Sequence, residues 1–324
     1  MKILDEVYNA IVLSEEEIST RLWEIGWIRI IDAIKETFVE EAKKNVVSPS
    51  KVIIDIDEYK NDYRTMPSYM FKYPEFIGTK IVSACPGNVG TEYPFAMGTY
   101  ILNDARVQKP LLICGARTTT AYRTAAATAV AVQELSRMDS EVLGIIGCGV
   151  QADFHIPAIC AIRPIKKILV NDINEECAER VCTLECEGAQ IEKGSKEWVL
   201  QESDIVVTLT PTTEPHIFAR DVPNREMLIC GVGGDSEHKV ELEPAILKKV
   251  DHYCDSYKQA THTGIVQRAM KQRLLGLWDL KSLGDYMIGN KEAGSDPVKL
   301  FLSTGVALED LAMAILLYKE IRRK

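Results

Sequence analysis

The chain lacks long hydrophobic runs, extended basic clusters and paired cysteine motifs, and each absence argues against a class of protein. No apolar stretch reaches the roughly 20 residues that cross a bilayer, so we expect no membrane partner. The 47 acidic residues outnumber the 38 basic ones, whose runs are as short as Arg322-Arg323-Lys324. A nucleic-acid partner is not expected, because such proteins present a basic surface.

The cysteine pattern and the first residues indicate a cytoplasmic protein. Nine cysteines are present without a C-x-x-C pair, and the two closest in sequence are Cys182 and Cys186. We interpret the cysteines as reduced thiols and expect no metal site. Asp5, Glu6 and the acidic run 15–17 interrupt the N-terminal segment, so we expect no secretory signal there.

Length and composition favour two domains. The 324 residues exceed the usual size of one domain, and 46% of them are hydrophobic, which is enough for two cores. A Ser-x-x-Glu pattern at Ser14 and helical spacing of apolar residues predict two amphipathic helices within 14–45. Short β-prone runs over 51–102 predict a mostly antiparallel sheet backed by those helices.

A long alanine-rich helix is predicted over 122–137, and apolar strands then alternate with helices. Such alternation indicates a parallel sheet that is covered on both faces. The last helix, over 307–324, is expected to pack on the first domain. Strands are predicted at 141–147, 166–172, 204–210, 227–234 and 251–256, and helices at 151–162, 174–188 and 241–250.

A dinucleotide-binding motif begins where the first of these strands ends. Gly147-Cys148-Gly149-Val150-Gln151-Ala152 matches G-x-G-x-x-A between a strand and a helix. The glycines permit a tight turn and close backbone approach, so that N–H groups at the helix start can face a pyrophosphate. The alternative is that both glycines form only a structural turn.

Asp172 ends the next predicted strand, at the spacing where an acid accepts hydrogen bonds from the adenosine ribose of a dinucleotide. A carboxylate there repels a 2′-phosphate, and no Arg or Lys follows within 173–176. The motif therefore predicts NAD as the cofactor and disfavours NADP. The alternative role of Asp172 is to cap the helix that begins near Asn174.

Five separated segments form a recognisable set: GTKIVSACPGN with Lys80, TTTAYRTAAATA with Arg123, GIIGCGVQA with the glycines, GVGGDSEHKVEL with Asp235, and FLSTGVALEDLA near the C-terminus. Together they resemble the ornithine cyclodeaminase, alanine dehydrogenase and mu-crystallin family. The resemblance implies an α/β fold: a Rossmann NAD-binding domain at 125–299, and an α+β substrate-binding and dimerisation domain at 1–124 together with 300–324. It also implies a homodimer.

The resemblance assigns roles to single residues. Arg123 would grip a substrate carboxylate with its guanidinium fork; its alternative is an ion pair at a helix end. Lys80 would offset negative charge beside the same carboxylate or the reacting carbonyl; its alternative is a solvated strand lysine. Asp235 would serve as acid or base toward the amino group or a water, with His238 as a competitor and a simple turn as the alternative. The implied cofactor-binding set is Gly147, Gly149, Val150, Gln151, Ala152, Asp172, Ser303 and Gly305.

Two departures from the family bear on the substrate. Lys51 stands where the family commonly has Arg in a Pro-x-Arg strand, which keeps the charge for carboxylate binding but loses the fork. Arg64 stands close to the sequence position at which ornithine cyclodeaminases carry an acidic residue. A cation there should disfavour binding of a substrate with a second amine. The combination resembles the archaeal alanine dehydrogenases. Arg64 has an alternative too, a surface ion pair with Asp62 or Glu75.

The resemblance thus implies an NAD-dependent enzyme that interconverts a small L-amino acid and its imino or 2-oxo acid, with alanine as the nominal substrate. Lys80 and Asp235 are the expected catalytic residues, and Lys51, Arg64, Lys80 and Arg123 the expected substrate-binding ones. Cyclodeamination of ornithine and reduction of a ketimine or opine-like imine remain as alternatives. The non-enzymatic alternative is a mu-crystallin-like protein that only binds a ligand.

Overall fold

The computed structural model describes residues 9–186, 188–276, 279–290 and 294–323, which form two compact units. The first unit contains the chain up to Arg123 together with the segment from Val306 onward, and the second is Thr124–Gly305. The expected boundary between 299 and 300 differs from this division. Residues 300–305 lie in the second unit because Val298–Leu302 is a strand of its sheet.

The sheet of the first unit is mixed. Its strands are β1 (Ile11–Leu13), β2 (Val46–Val47), β3 (Val52–Ile56), β4 (Asn61–Met70), β5 (Phe76–Ala84), β6 (Ala96–Asp104) and β7 (Pro110–Gly115). The order is β1-β7-β6-β5-β4-β2, with β3 also paired to β4. The β1–β7 pairing is parallel and the other pairings are antiparallel. This agrees with the predicted mostly antiparallel sheet, which extends beyond 51–102 at both ends.

Helices cover this sheet, and we number them along the whole chain. α1 (Glu15–Ile25) begins at a capping box in which the Ser14 and Glu17 side chains each accept a hydrogen bond from the other's backbone N–H. α2 (Trp27–Ala42) follows at once, as predicted. α10 (Ala307–Arg323) packs against α2, β4 and β5. The predicted return of the last helix to the first domain is confirmed.

The alanine-rich helix, α3 (Arg117–Leu135), begins five residues before the predicted start. The Glu15 carboxylate accepts hydrogen bonds from the backbone N–H groups of Arg117, at 3.0 Å, and Thr118, at 2.8 Å. These bonds satisfy donors that a helix start leaves without an intrahelical partner. A tertiary contact from α1 therefore sets the start of α3, which the local sequence pattern does not show.

The sheet of the second unit is parallel throughout. Its strands are β8 (Val142–Ile146), β9 (Lys167–Asn171), β10 (Gln190–Lys193), β11 (Ile205–Thr208), β12 (Met227–Gly231), β13 (Asp251–Cys254), β14 (Lys281–Ser282) and β15 (Val298–Leu302). The order is β10-β9-β8-β11-β12-β15-β13-β14. The first five strands follow the 3-2-1-4-5 order of a doubly wound sheet. The predicted α/β class with a Rossmann domain is confirmed.

The core of the second unit lies on both faces of that sheet. Every residue of β11 and of β12 is buried, as expected for parallel strands with helices on both sides. The helices are α4 (Ala152–Cys160), α5 (Glu175–Cys182), α6 (Lys196–Glu202), α7 (Tyr257–Ala260), α8 (Gly264–Lys271) and α9 (Leu283–Met287). In the described part of the chain, no helix has the length and apolar character to cross a membrane.

One predicted helix is wrong. The segment 241–250 contains only a short 3₁₀ turn, Pro244–Lys248. Leu242 instead forms a parallel β-bridge with Ile217, and Pro244 has no backbone N–H to continue an α-helical ladder. The buried side chain of Glu241, described below, holds the start of this segment in place.

Candidate functional site

The inner face of the first sheet carries a row of chemically active side chains. Met66, Lys80, Tyr100 and Cys114 are directly opposite one another on β4, β5, β6 and β7, so their side chains point to the same face. Lys80 is 2% exposed and Tyr100 is 1% exposed. The structure thus rules out the alternative of a solvated strand lysine for Lys80.

Lys80 belongs to a buried cluster of four charged groups. Its Nζ lies 2.7 Å from Asp310 Oδ2, and Arg123 Nη1 lies 2.8 Å from Glu309 Oε2. Arg123 Nε is 3.4 Å from Asp310 Oδ1, which joins the two ion pairs. All four side chains are at most 8% exposed. Because isolated buried charges are very costly, the cations and carboxylates depend on one another.

Glu309 and Asp310 are members of the site that were not predicted from the sequence. Both lie in the first turn of α10, and both are buried although they are acidic. A signal was present, because two adjacent acids interrupt the apolar first half of the helix, within the FLSTGVALEDLA segment. Buried carboxylates in such a helix require a cationic partner. The sequence alone did not show that the partners are Lys80 and Arg123.

Burial changes the acid–base behaviour of this cluster. It lowers the pKa of Lys80 to about 8, against the opposing effect of the Asp310 carboxylate. The positive charges of Arg123 and Lys51 lower the pKa of Lys80 further, so Lys51 acts electrostatically on the same site. Burial, together with the Asp310 charge, raises the pKa of Tyr100 well above its usual value. Tyr100 therefore remains a neutral phenol beside the ion pairs.

A glycine makes room for Tyr100 in this row. A Cβ at position 78 would lie 2.2 Å from the Tyr100 hydroxyl oxygen, a separation that no side chain tolerates. Gly78 is two residues before Lys80 on the same face of β5. The Gly-x-Lys spacing of the sequence thus has a packing reason as well as a chemical one.

Arg64 is bound by a neighbouring carboxylate. Its Nε donates to Asp62 Oδ2 at 2.9 Å, and its Nη2 also contacts that oxygen. Asp62 Oδ1 accepts a hydrogen bond from the backbone N–H of Ala84 at 3.0 Å, which holds the pair against β5. The structure therefore shows the alternative ion pair with Asp62. Because Asp62 neutralises Arg64, the charge of Arg64 alone is no argument against a substrate with a second amine.

The glycine-rich loop of the second unit lies where the strand order reverses, between β8 and β11. Gly147 has φ of 102°, and a Cβ there would lie 3.0 Å from the carbonyl carbon of Leu209. Gly149 has no atom within 4 Å of the corresponding position. Gly147 therefore allows close packing of two strand ends, whereas Gly149 leaves open space above the loop.

The start of α4 is suited to an anionic group. Its N-cap residue, Gln151, makes no side-chain capping bond, and Val150 is 68% exposed. The first N–H groups of a helix lack intrahelical acceptors and carry the positive end of the helix dipole. This is the geometry that binds phosphate groups.

Asp172 ties this loop to the end of β9. Its Oδ2 accepts from the Cys148 N–H at 2.6 Å, and its Oδ1 accepts from the Asn174 N–H at 2.8 Å. The N-cap of α5 is Asn174, whose side chain accepts from the Glu176 N–H. The alternative that Asp172 caps this helix is therefore wrong. Each oxygen of the carboxylate still has a lone pair for a hydroxyl donor.

Asp235 lies in the loop after β12. Its side chain is 44% exposed, and its Oδ1 is 2.8 Å from Lys239 Nζ. His238, the predicted competitor, is 83% exposed and pairs with Glu237. Asp235 is accessible to a ligand, but its only recorded partner among the described residues is the cation of Lys239.

A buried carboxylate that the sequence analysis missed fixes the ends of β11 and β12. Glu241, 2% exposed, accepts hydrogen bonds from the Thr208 hydroxyl, from the Thr210 hydroxyl and backbone N–H, and from the Gly233 N–H. Burial raises the pKa of Glu241, against the effect of these bonds. The loop that contains Asp235 thus begins at an anchored position.

Asp255 has the same role at the end of β13. It accepts from the Thr304 N–H and hydroxyl at 2.5 and 2.7 Å and from the Gly305 N–H at 2.8 Å. Ser303 donates its N–H to Gly231 at 3.0 Å. The predicted cofactor residues Ser303 and Gly305 are therefore held at the carboxyl ends of the parallel strands, where open α/β sheets bind ligands.

Comparison with known proteins identifies the family. The profile of the ornithine cyclodeaminase/mu-crystallin family matches residues 11–324. The chain belongs to this family. The resemblance recognised from the sequence segments is therefore confirmed over nearly the whole chain.

Among members of the ornithine cyclodeaminase/mu-crystallin family, alanine dehydrogenase of Archaeoglobus fulgidus is 31% identical over 98% of this chain and 96% of its own. An archaeal alanine dehydrogenase dimer with bound NAD has a TM-score of 0.89 at 30% identity, covering 97% and 96% of the two chains. Delta(1)-pyrroline-2-carboxylate reductase of Thermococcus litoralis, with NADH and L-proline, has a TM-score of 0.89 at 28% identity, covering 97% and 98%. The predicted class of activity agrees with these names.

The two loop glycines should respond differently to alanine. Gly147→Ala should lower the free energy of unfolding by roughly 1–3 kcal/mol, because its φ of 102° and the 3.0 Å approach to Leu209 both oppose a Cβ. Gly149→Ala, in open space, should change it by less than about 0.5 kcal/mol. Urea denaturation of the two variants measures the difference. Equal destabilisation by both would contradict the description of this loop.

Proposed function

We propose that this chain is an NAD-dependent oxidoreductase that interconverts a small L-amino acid and its imino or 2-oxo acid, as an alanine dehydrogenase does. The buried Lys80–Arg123 pair carries the proposal. Two buried cations, Lys80 on β5 and Arg123 on α3, are a costly arrangement that suits recognition of a small carboxylate. The names of relatives that match nearly the full length support the same class.

The residues of the second unit suit NAD. Gly149 leaves room for a pyrophosphate, the open start of α4 offers N–H donors, and the free lone pairs of Asp172 suit a ribose hydroxyl. Asp172 would repel the 2′-phosphate of NADP. Arg180 lies near the loop, but Asp153 neutralises it at 2.7 Å. When bound, NAD supplies the hydride acceptor. The proposed set also includes Gly147, Val150, Gln151, Ala152, Ser303 and Gly305.

The first unit is proposed to hold the substrate carboxylate. Lys80 and Arg123 are balanced by Asp310 and Glu309 in the ligand-free chain. A third carboxylate needs another cation, and Lys51 is close enough to act on Lys80. With Lys51 counted, three cations face three carboxylates, so a substrate can bind without an uncompensated buried charge. Arg64 remains a proposed substrate contact that would first have to leave Asp62.

Asp235 is proposed as the acid or base that exchanges a proton with the substrate amine or with water. Its exposure and its partner Lys239 are compatible with a carboxylate that is ionised and reachable. Lys80 is proposed to stabilise negative charge that develops at the reacting carbonyl or carboxylate. Neither role needs a metal ligand.

Reduction of a cyclic imino acid is the second candidate. The solved relative with L-proline and NADH supports it. The carboxylate site and cofactor site would serve this reaction unchanged. Ornithine cyclodeamination is distinguished by its products, which are proline and ammonia. It consumes no net NAD, so no NADH accumulates.

A substrate scan with matched variants tests the proposed function. L-Alanine or another monoamino acid with NAD should yield NADH and ammonia in equal amounts. Arg123→Lys should lower kcat/KM by roughly 10- to 100-fold through loss of the forked contact, whereas Arg29→Lys, at an exposed pair with Glu320, should not. Ammonia and proline from ornithine without NADH would overturn the dehydrogenase. Turnover of cyclic imines alone would establish the second candidate.

The lowered pKa of Lys80 predicts a pH dependence of substrate binding. The protonated side chain of Lys80 is proposed to pair with the substrate carboxylate. The KM should therefore rise as the pH passes about 8, where Lys80 loses its proton in the free enzyme. Asp310→Asn removes the charge that raises this pKa, so the rise in KM should begin at lower pH. Asp139→Asn, at an 80% exposed side chain, is the control. Identical KM profiles for all three proteins would contradict the assignment of Lys80.

A homodimer in the cytosol is proposed as the working state. Val52, Ile53 and Ile54 of β3 are 57%, 51% and 56% exposed. Successive strand residues point to opposite faces, so β3 presents apolar side chains on both. Such an exposed strand is an interface or an aggregation hazard, and one solved relative is a dimer. The nine free cysteines are compatible with a reducing compartment.

Light scattering tests the dimer. The wild type should have twice the mass of one chain, and Ile54→Glu should shift it toward the monomer because a charge would be buried at the interface. Met138→Glu, at an isolated position that is 85% exposed in the second unit, is the matched control and should remain dimeric. A monomeric wild type, or a dimeric Ile54→Glu variant, would count against this interface.

A further inference from the structure

Two cysteine sulfurs meet in the second unit, at the opposite end of α4 from the glycine-rich loop. Cys186 Sγ lies 3.0 Å from Cys160 Sγ and donates its S–H to it. Cys160 is the last residue of α4, and Cys186 lies beyond the end of α5 at Cys182. The two are 26 residues apart in the chain. Cys182 is the cysteine nearest to Cys186 in the sequence, but the fold brings Cys186 against Cys160 instead.

The separation of the two sulfurs is already short. A covalent S–S bond is about 2.05 Å long, so the two sulfurs need to approach by only about 1 Å. Cys186 lies in an irregular segment between α5 and β10, and such a segment adjusts more readily than a strand or helix. Both cysteines are partly exposed, so a small reagent can reach them.

We propose that Cys160 and Cys186 form a dithiol site that small aliphatic disulfides, such as glutathione disulfide, oxidise to an intramolecular disulfide. The proposal does not rest on the proposed enzymatic function. It adds a covalent modification site to the outer part of the Rossmann unit.

The reaction proceeds by two thiol–disulfide exchanges. Cys186 loses its proton and attacks one reagent sulfur; a mixed disulfide forms, the reagent S–S bond breaks, and one thiolate leaves. Cys160 then loses its proton and attacks Cys186 Sγ, which releases the second thiolate. Both thiolates take up the two protons. The cysteine sulfurs are oxidised by two electrons, and the two reagent sulfurs are reduced by the same number.

The order of attack follows from the surroundings of the two sulfurs. Burial raises the pKa of Cys160, and its contact with Cys186 adds to this effect. The raised pKa leaves a smaller thiolate fraction on Cys160, which makes it the slower nucleophile toward a reagent in solution. Cys186 begins the reaction, and Cys160, already within contact distance, resolves the mixed disulfide quickly because the second step is intramolecular.

The disulfide would tie the C-terminal end of α4 to the segment that leads into β10, the edge strand of the sheet. It closes a loop that includes β9 and α5, and so restricts the unfolded chain. Neither sulfur is among the hydrogen-bond partners of Asp172. Oxidation should therefore stabilise this edge of the unit against unfolding and leave the dinucleotide loop open. In a reducing cytosol the pair remains a dithiol until disulfide reagents accumulate.

Mass spectrometry of the full chain tests the proposal. After treatment with glutathione disulfide and alkylation of remaining thiols, the wild type should retain two fewer alkylation sites, and one cross-linked peptide pair should contain Cys160 and Cys186. Cys160→Ser should instead accumulate a glutathione adduct on Cys186, because the resolving thiol is absent. Cys177→Ser, which changes a nearby partly exposed cysteine in α5, should cross-link like the wild type.

Two results would overturn the site. One is full alkylation of Cys160 and Cys186 in oxidised wild type; the other is a cross-link that joins either of them to a different cysteine. Binding of NADH to the oxidised and reduced proteins, followed by fluorescence, separates this question from the proposed function. Loss of binding in both forms would refute the cofactor assignment and leave the dithiol result intact.

Discussion

The buried ion cluster of the first unit is the constraint on which the rest of that unit depends. Lys80, Arg123, Glu309 and Asp310 are brought from β5, α3 and α10, and none of the four is stable there alone. The last helix must therefore return to the first sheet, although the whole second unit lies between them in sequence. The cluster holds two cations in a buried position, where electrostatic interactions are stronger than in water.

The second unit also contains buried carboxylates, and two of them accept several hydrogen bonds each. Glu241 joins the ends of β11 and β12, and Asp255 joins the end of β13 to the segment after β15. Both sit at the carboxyl edge of the sheet, so the loops that carry Asp235, Ser303 and Gly305 begin from fixed points. Precise loops are what a ligand site on an open parallel sheet requires.

The expectations that succeeded concerned local, periodic or close-range features. Strand–helix alternation predicted the Rossmann sheet, the Ser14–Glu17 pattern predicted the start of α1, and Gly147 was placed at a turn that demands positive φ. The failed expectation concerned a feature decided elsewhere in the chain. The helix expected over 241–250 is absent, and Leu242 in that segment forms a β-bridge with Ile217.

The sequence by itself determined the order of the elements, the family and the candidate residues, because hydrophobic period, turn residues and short motifs are written along the chain. Tertiary structure alone decided the distant partners: Lys80 with Asp310, Arg123 with Glu309 and Cys186 with Cys160. The physical reason is that electrostatic and covalent chemistry depends on distance and burial in space. Residues far apart in a chain acquire both only when the fold brings them together.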